Sequence, residues 1–301
     1  MSRFEGVACT ATYELALDQV EPVVQQLAAL AVDAFVFDNT ATPTIRASIE
    51  EACRRYGVAY LSNGRNDGTA IALNACLARA GQLGRVWCYY LDQDSRVDSS
   101  TSDRLNETAR ALEADSSVAV VGSGLDLADV TTTQPTSVDE GLRETRYVIA
   151  SGTLMRVPSL VLVDGFDEGL RLDGVDHELC LRLRTSGFRL LVDERRRIAH
   201  AIGADAREVL PRRHFRVSRH PLWRRRLMWR NTTIIARRYI WRAPVDVLRL
   251  GLGRVLDTLL GAVTYREPRY LVAALQGLFD GLVPDIRRVG LSESASRDLL
   301  P

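Results

Sequence analysis

The run Tyr89-Tyr90-Leu91-Asp92-Gln93-Asp94-Ser95 is an apolar strand that delivers two carboxylates, one residue apart, into a turn. Acids at i and i+2 repel unless a cation sits beside them, and a hard divalent ion with phosphate as co-ligand relieves that repulsion. The same spacing also suits a solvated strand-end turn whose Asp caps the following helix. The flanking segments decide between these readings.

Working outward, apolar runs alternate with helical patterns. Residues 6–12, 34–38, 58–61, 86–91 and 118–122 read as strands, and 22–30, 44–56, 67–80 and 103–114 as helices. That alternation predicts a mostly parallel sheet wrapped by helices, with ligands beyond the carboxyl ends of the strands. Asp38-Asn39 and Asp92-Gln93-Asp94 both fall at such ends, so the fold is expected to bring them to one crevice. Residues 127–143, rich in Thr, Asp and Pro, read as a loop between two halves of the domain, followed by a strand over 149–154. A helix is expected over 176–186, stopped by Gly187. Further helices are expected over 221–241, 245–263 and 268–282, with a frayed tail after them.

The chain of 301 residues is long enough for a full core. Its longest apolar windows, 118–121 and 157–163, are too short to cross a bilayer, and the N-terminus has no signal-peptide pattern, so a cytoplasmic protein is expected. Cys9, Cys53, Cys76, Cys88 and Cys180 lack metal-site or disulfide spacing and read as reduced, buried thiols. The formal net charge is +1, yet fourteen arginines between Arg207 and Arg254 face only Glu208 and Asp246. That third seeks anions: a diphosphate, an anionic membrane surface or nucleic acid. Arg224, Arg225 and Arg226 read as a solvated or membrane-facing group. Trp223, Trp229 and Trp241 beside the arginines resemble an interfacial belt, with helix packing as the equal alternative.

Five motifs occur in order: Leu91-Asp92-Gln93-Asp94-Ser95; Gly165-Phe166-Asp167-Glu168; Asp173-Gly174-Val175-Asp176-His177-Glu178-Leu179-Cys180-Leu181-Arg182; His200-Ala201-Ile202-Gly203; and Trp229-Arg230-Asn231. Together they resemble the rhamnosyltransferase branch of the family 2 glycosyltransferases over about residues 7–239. The resemblance implies an α/β GT-A fold, a mixed, mostly parallel sheet flanked by helices, with a C-terminal helical extension. It divides the chain into a catalytic domain at 1–204 (nucleotide half about 1–125, acceptor half about 145–204), a basic segment at 205–243 completing the active site, an amphipathic extension at 244–290 and a tail at 291–301.

It further implies an inverting, metal-dependent transferase moving L-rhamnose from dTDP-L-rhamnose to a saccharide or glycolipid hydroxyl. Asp176 is the expected general base, and Asp94 and His200 the ligands of Mg2+ or Mn2+. Thr12, Tyr13, Asp38, Asn66, Gly68, Asn74, Asp92, Gln93, Arg230 and Asn231 are expected on the nucleotide sugar. Ser151, Gly152, Asp173 and Glu178 are expected on the acceptor side, with Glu178 facing Arg182 at i+4. Glu14 departs from the Asn usual after that Tyr. For the C-terminal helices two readings stand equal: contact with a membrane surface, which would make the protein peripheral at the inner face of the cell membrane, and simple core packing. No nucleic-acid partner is expected, and an oligomer is compatible with the sequence. Three alternatives stay open: a UDP- or GDP-sugar donor, a non-catalytic anion or nucleic-acid binder, and a degenerate transferase kept as a partner subunit. A sugar nucleotidyltransferase would need a basic glycine-rich loop that residues 10–15 lack.

Overall fold

The computed structural model describes residues 2–124, 137–139, 141–198, 207–210 and 215–283. Its first half follows the expected alternation: β1 (Phe4–Thr12), α1 (Leu17–Leu30), β2 (Ala31–Asp38), α2 (Pro43–Tyr56), β3 (Ala59–Ser62), α3 (Thr69–Gln82), β4 (Trp87–Asp92), α4 (Thr101–Ala111) and β5 (Val118–Gly124). Then come β6 (Ser137–Asp139), β7 (Leu142–Thr145), β8 (Thr153–Arg156), α5 (Val157–Leu162), a 3-10 turn at Glu168–Leu170, α6 (Val175–Thr185) and β9 (Arg189–Arg197). These strands form one sheet in the order β3-β2-β1-β4-β8-β5-β9-β7-β6. Strands β3, β2, β1 and β4 are mutually parallel, and β8 runs against both β4 and β5. Strand β9 is parallel to β5, and β7 is antiparallel to β9.

The pattern of burial explains the parallel core. Strand β4 is buried from Trp87 to Leu91, as a strand covered by helices on both faces must be. Helix α1 turns Val20, Val23, Val24 and Leu27 inward at helical spacing, and α3 buries Ala72, Leu73, Cys76 and Leu77. All five cysteines are free and buried, as their spacing predicted.

Three expectations are corrected. The end of the 127–143 loop is a β6–β7 hairpin. The strand expected over 149–154 begins only at Thr153, because Gly152 has a positive φ of 76° and Ser151 precedes it in a turn. Before the expected metal-side histidine the sequence reads as strand-like only over 197–199; the strand there is β9, Arg189–Arg197, whose charged end is neutralised locally. There the Asp193 carboxylate accepts from Arg195 (2.9 Å) and Arg196 (3.4 Å).

The described residues from 207 onward group as a second compact unit. It holds β10 (Arg207–Leu210) paired with β11 (Phe215–Val217), then α7 (Leu222–Tyr239), α8 (Pro244–Thr264) and α9 (Arg269–Leu282). Here the basic segment and the amphipathic extension pack together. Helix α9 approaches α7 through glycine: a Cβ at Gly277 would lie 2.7 Å from Trp229 Cβ, and one at Gly281 2.5 Å from Thr233 Cβ. Arg225, expected on an exposed face, is instead buried, bonded to Asp257 (2.8 Å) and stacked 4.0 Å over the Tyr270 ring. Arg226 is exposed and paired with Asp280.

Candidate active site

The carboxyl ends of β1, β2 and β4 place Thr12, Asp38 and Asp92 along one edge of the sheet. Because β8 is antiparallel, its start lies at the same edge, with Thr153 opposite Tyr90. Ser151 is thereby brought beside the acidic turn: its Oγ accepts from the Asp92 N–H (3.0 Å) and shares a hydrogen bond with Ser95 Oγ (2.8 Å). The Gly152 N–H donates to the Tyr90 carbonyl (2.8 Å), and its own carbonyl accepts from Ser123 Oγ (2.7 Å). A side chain at Gly152 would meet Ile198 Cδ1 at 2.8 Å, so the ledge beneath the turn requires glycine. Ser151 and Gly152 thus hold the turn's backbone in place.

Above this ledge Asp92 is half-buried and Asp94 exposed. Between them Gln93 turns toward the loop after β1, where its Oε1 accepts from the Tyr13 N–H (2.8 Å) and its Nε2 donates to the Tyr13 carbonyl (3.2 Å). The Tyr13 ring stays 51% exposed, available as a stacking surface.

Asp38 is fully buried and caged by donors. Its Oδ1 accepts from Thr12 Oγ1 (2.9 Å) and the Thr40 N–H (3.0 Å), and its Oδ2 from the Tyr60 hydroxyl (2.9 Å). Burial first, and then Asp38, push the Tyr60 phenol pKa up, which keeps it a donor. Thr12 and Asp38 therefore tie the ends of β1 and β2 together from below. Glu14 has a role that its departure from the family pattern does not suggest: its Oε1 accepts from the Ala41 (3.0 Å) and Thr42 (3.2 Å) N–H groups ahead of α2. Hydrogen bonding at Thr42 holds its pKa below the ordinary carboxylate value.

Asn39 carries the next loop, accepting from the Asp67 N–H (3.0 Å) and donating to the Gly68 carbonyl (3.3 Å). Asn66 accepts from the Gly68 N–H (3.0 Å). Gly68 has φ 95°, and a Cβ there would sit 2.7 Å from the Arg171 carbonyl. Asn74 is buried, with Nδ2 donating to Phe166 O (3.0 Å) and Glu168 Oε1 (2.8 Å) while its Oδ1 accepts from the Phe166 N–H (2.8 Å). It binds α3 to the 165–168 motif and presents no free face to a nucleotide.

Asp176 lies in the first turn of α6, after Gly174 with φ 86°. Its carboxyl is pushed up to about 7, by desolvation above all and then by Asp92, against a lowering hydrogen bond from the Ala150 backbone. The Asp92 repulsion places both acids in one field at the sheet edge. Glu178, expected toward the acceptor, is fully buried in an ion pair with Arg182 (2.6 Å), which also reaches the Val163 carbonyl. The i+4 pairing holds; Glu178 braces the base helix from inside the core. Asp173 is half-buried before that helix. The His177 ring stacks on Tyr147 with centroids 4.2 Å apart, an aromatic pair next to Asp176 to which the sequence assigned no role.

His200 lies outside the described residues. Arg230 and Asn231 belong to α7 in the second unit, where Arg230 donates to Asn231 Oδ1 (2.9 Å) and Asn231 is buried. Among the described residues no three His, Cys, Asp or Glu side chains form a metal cage. The hard oxygens of Asp92 and Asp94 suit a Mg2+ or Mn2+ ion that draws its remaining ligands from phosphate and water.

No family model matches the chain. A curated relative, the dTDP-rhamnosyl transferase RfbF of Shigella flexneri, is 23% identical over 294 residues, covering 91% of this chain and 94% of that protein. Among solved structures, TarS of S. aureus superimposes with a TM-score of 0.57 at 15% identity over 94% of this chain; the chain spans 50% of that one. The mannosyltransferase PcManGT of Pyrobaculum calidifontis, solved with GDP-Man and Mn2+, gives 0.55 at 12% identity over 94% of this chain and 87% of its own. Residues 1–349 of TarS with UDP-GlcNAc give 0.55 at 13% identity, over 94% and 82%. The fold is the GT-A glycosyltransferase fold, as the motif resemblance implied.

Proposed function

We propose that the protein is an inverting glycosyltransferase that moves L-rhamnose from dTDP-L-rhamnose to a hydroxyl of a saccharide or glycolipid acceptor. The observation that carries this reading is Asp176, a carboxyl raised to about 7 beside Asp92 at the carboxyl edge of a GT-A sheet. A base with that pKa is ionised in useful amount at neutral pH and still basic enough to accept a proton.

In this reading the Tyr13 ring stacks on the pyrimidine, positioned by Gln93, while the Asn66–Gly68 turn and the start of α3 face the diphosphate. The acceptor oxygen attacks the anomeric carbon opposite the departing diphosphate. Asp176 takes the hydroxyl proton as the new C–O bond forms and the old one breaks, inverting the anomeric centre. Asp94, with Asp92 near the ribose, would hold Mg2+ or Mn2+, which when bound neutralises charge on the leaving diphosphate. The dTDP-rhamnose assignment rests on the motif resemblance and on the RfbF relative. A UDP- or GDP-sugar is the second reading, favoured by the UDP-GlcNAc and GDP-Man bound to the structural neighbours.

Thermal stabilisation by a panel of nucleotide sugars, with and without Mn2+, tests the donor. The largest shift is expected from dTDP-L-rhamnose; an equal or larger shift from UDP- or GDP-sugars would replace it. Asp176→Asn should bind the donor and fail to transfer, and retained turnover would remove Asp176 as the base.

A further inference from the structure

In the second unit, α9 spends one side on α7 and leaves the other bare. Between Leu271 and Val283 the one exposed polar residue is Gln276, while Val272, Leu275, Phe279 and Leu282 are each 54–66% exposed. Helix α8 carries a matching stripe at helical spacing, Leu248, Leu252, Leu256, Leu259 and Val263, between 41% and 77% exposed. Trp223 (62%) and Trp241 (91%) stand exposed at the two ends of α7. Apolar side chains grouped on helix faces rather than scattered singly call for an occupant.

Charge selects among the candidates. Residues 215–283 hold thirteen arginines against Asp246, Asp257, Glu267 and Asp280, an excess of nine positive charges. A second copy docked on this face would oppose two such charges, and an oligonucleotide would have no use for leucine stripes. An anionic lipid surface complements both features: acyl chains meet the stripes, headgroups meet exposed arginines such as Arg242, Arg249 and Arg266, and tryptophans favour the boundary between them. No helix among the described residues is long and apolar enough to cross a membrane, so the helices would lie along the surface.

We propose that the outer faces of α8 and α9 dock this protein on an anionic lipid bilayer. The inference stands apart from the sugar-transfer reading, and where both hold, the acceptor is one presented at a membrane, such as a lipid-linked saccharide.

Co-sedimentation of the full chain with phosphatidylglycerol–phosphatidylcholine vesicles and with pure phosphatidylcholine vesicles tests it. Binding to the anionic vesicles is expected to be about tenfold tighter and to weaken with salt. Leu256→Glu with Phe279→Glu should abolish it, and brominated lipid should quench wild-type fluorescence more than that of Trp241→Phe. Both glutamate positions are exposed, so melting should be unchanged; if it is not, Leu252→Gln with Leu275→Gln serves as the same test. A wild type that ignores phosphatidylglycerol vesicles, or variants that bind like wild type, overturns the proposal. So does sedimentation showing a dimer that the variants dissolve, which would assign the face to a second copy. None of these readouts depends on donor, acceptor or Asp176, so the two proposals fail separately.

Discussion

Gln93 grips the Tyr13 backbone on both sides of its α-carbon, accepting from its N–H at 2.8 Å and donating to its carbonyl at 3.2 Å. Two loops eighty residues apart become one surface, and the exposed ring is aimed by a residue of the acidic turn. Gln93→Ala removes both bonds, a loss of about 1–3 kcal/mol. Donor affinity, titrated with the nucleotide, is expected to fall roughly tenfold, with a smaller change in kcat. An unaltered donor Kd would mean that the clamp does not position the ring.

The pH behaviour of Asp176 follows from its direction of shift. The folded protein keeps the carboxyl proton up to about 7, against an ordinary value of 3.8, so ionising it opposes folding. Wild-type stability should therefore fall as pH rises between these values, and Asp176→Asn should gain on wild type across the same window and level off above it. The transfer rate should climb with pH to near 7 and then flatten. Melting curves of both proteins from pH 4 to 8 check the first, and a kcat/KM profile the second. A constant melting difference would contradict the burial argument.

Asp94 is exposed at the tip of the turn, so its loss should leave the fold within about 0.5 kcal/mol of wild type. What Asp94→Ala should lose is the metal dependence of donor binding. Thermal shifts by the nucleotide sugar with and without Mn2+ are expected to differ in wild type and coincide in the variant. Persistence of the Mn2+ effect would move the ligand elsewhere.

Asn74 should behave as a structural residue despite its place in a nucleotide-side motif. Asn74→Ala strands the Phe166 carbonyl and the Phe166 N–H in the core, at a cost of about 2–4 kcal/mol. Urea denaturation should show that loss, with donor affinity little changed for the fraction still folded. A stable variant with weakened donor binding would return Asn74 to the nucleotide.

Strands β1, β2 and β4 were legible because each is an apolar run that ends on a polar residue, and the acids at those ends pointed to the crevice. The direction of β8 was not, since nothing in an apolar run of that length encodes whether it runs with or against its neighbours. Strand β9 hid for a different reason: residues 193–197 are Asp, Glu and Arg, and only the Asp193 contacts make that stretch tolerable in a sheet. The placement of Asp38 and Asp92 at strand ends along one edge of the sheet was readable from position. The contacts of Tyr60 and Thr40 were not, because each acts through hydrogen bonds to partners that only the fold brings near. Thr12, Asp38, Asn74 and Glu178 are buried, and each supports a loop or helix through contacts that the sequence does not display.

The glycines that seat α9 on α7 divide that helix into two independent vocabularies. Toward α7 size is read at Gly277 and Gly281, which meet their neighbours at distances that leave no space for a methyl group, and chemistry is read at Tyr270 and Asp280, which meet Arg225 and Arg226. Away from α7 only polarity is read, and no contact of the helix pair constrains it. Substitutions on the outer side of α9 can therefore change what the helix presents without unseating it from α7.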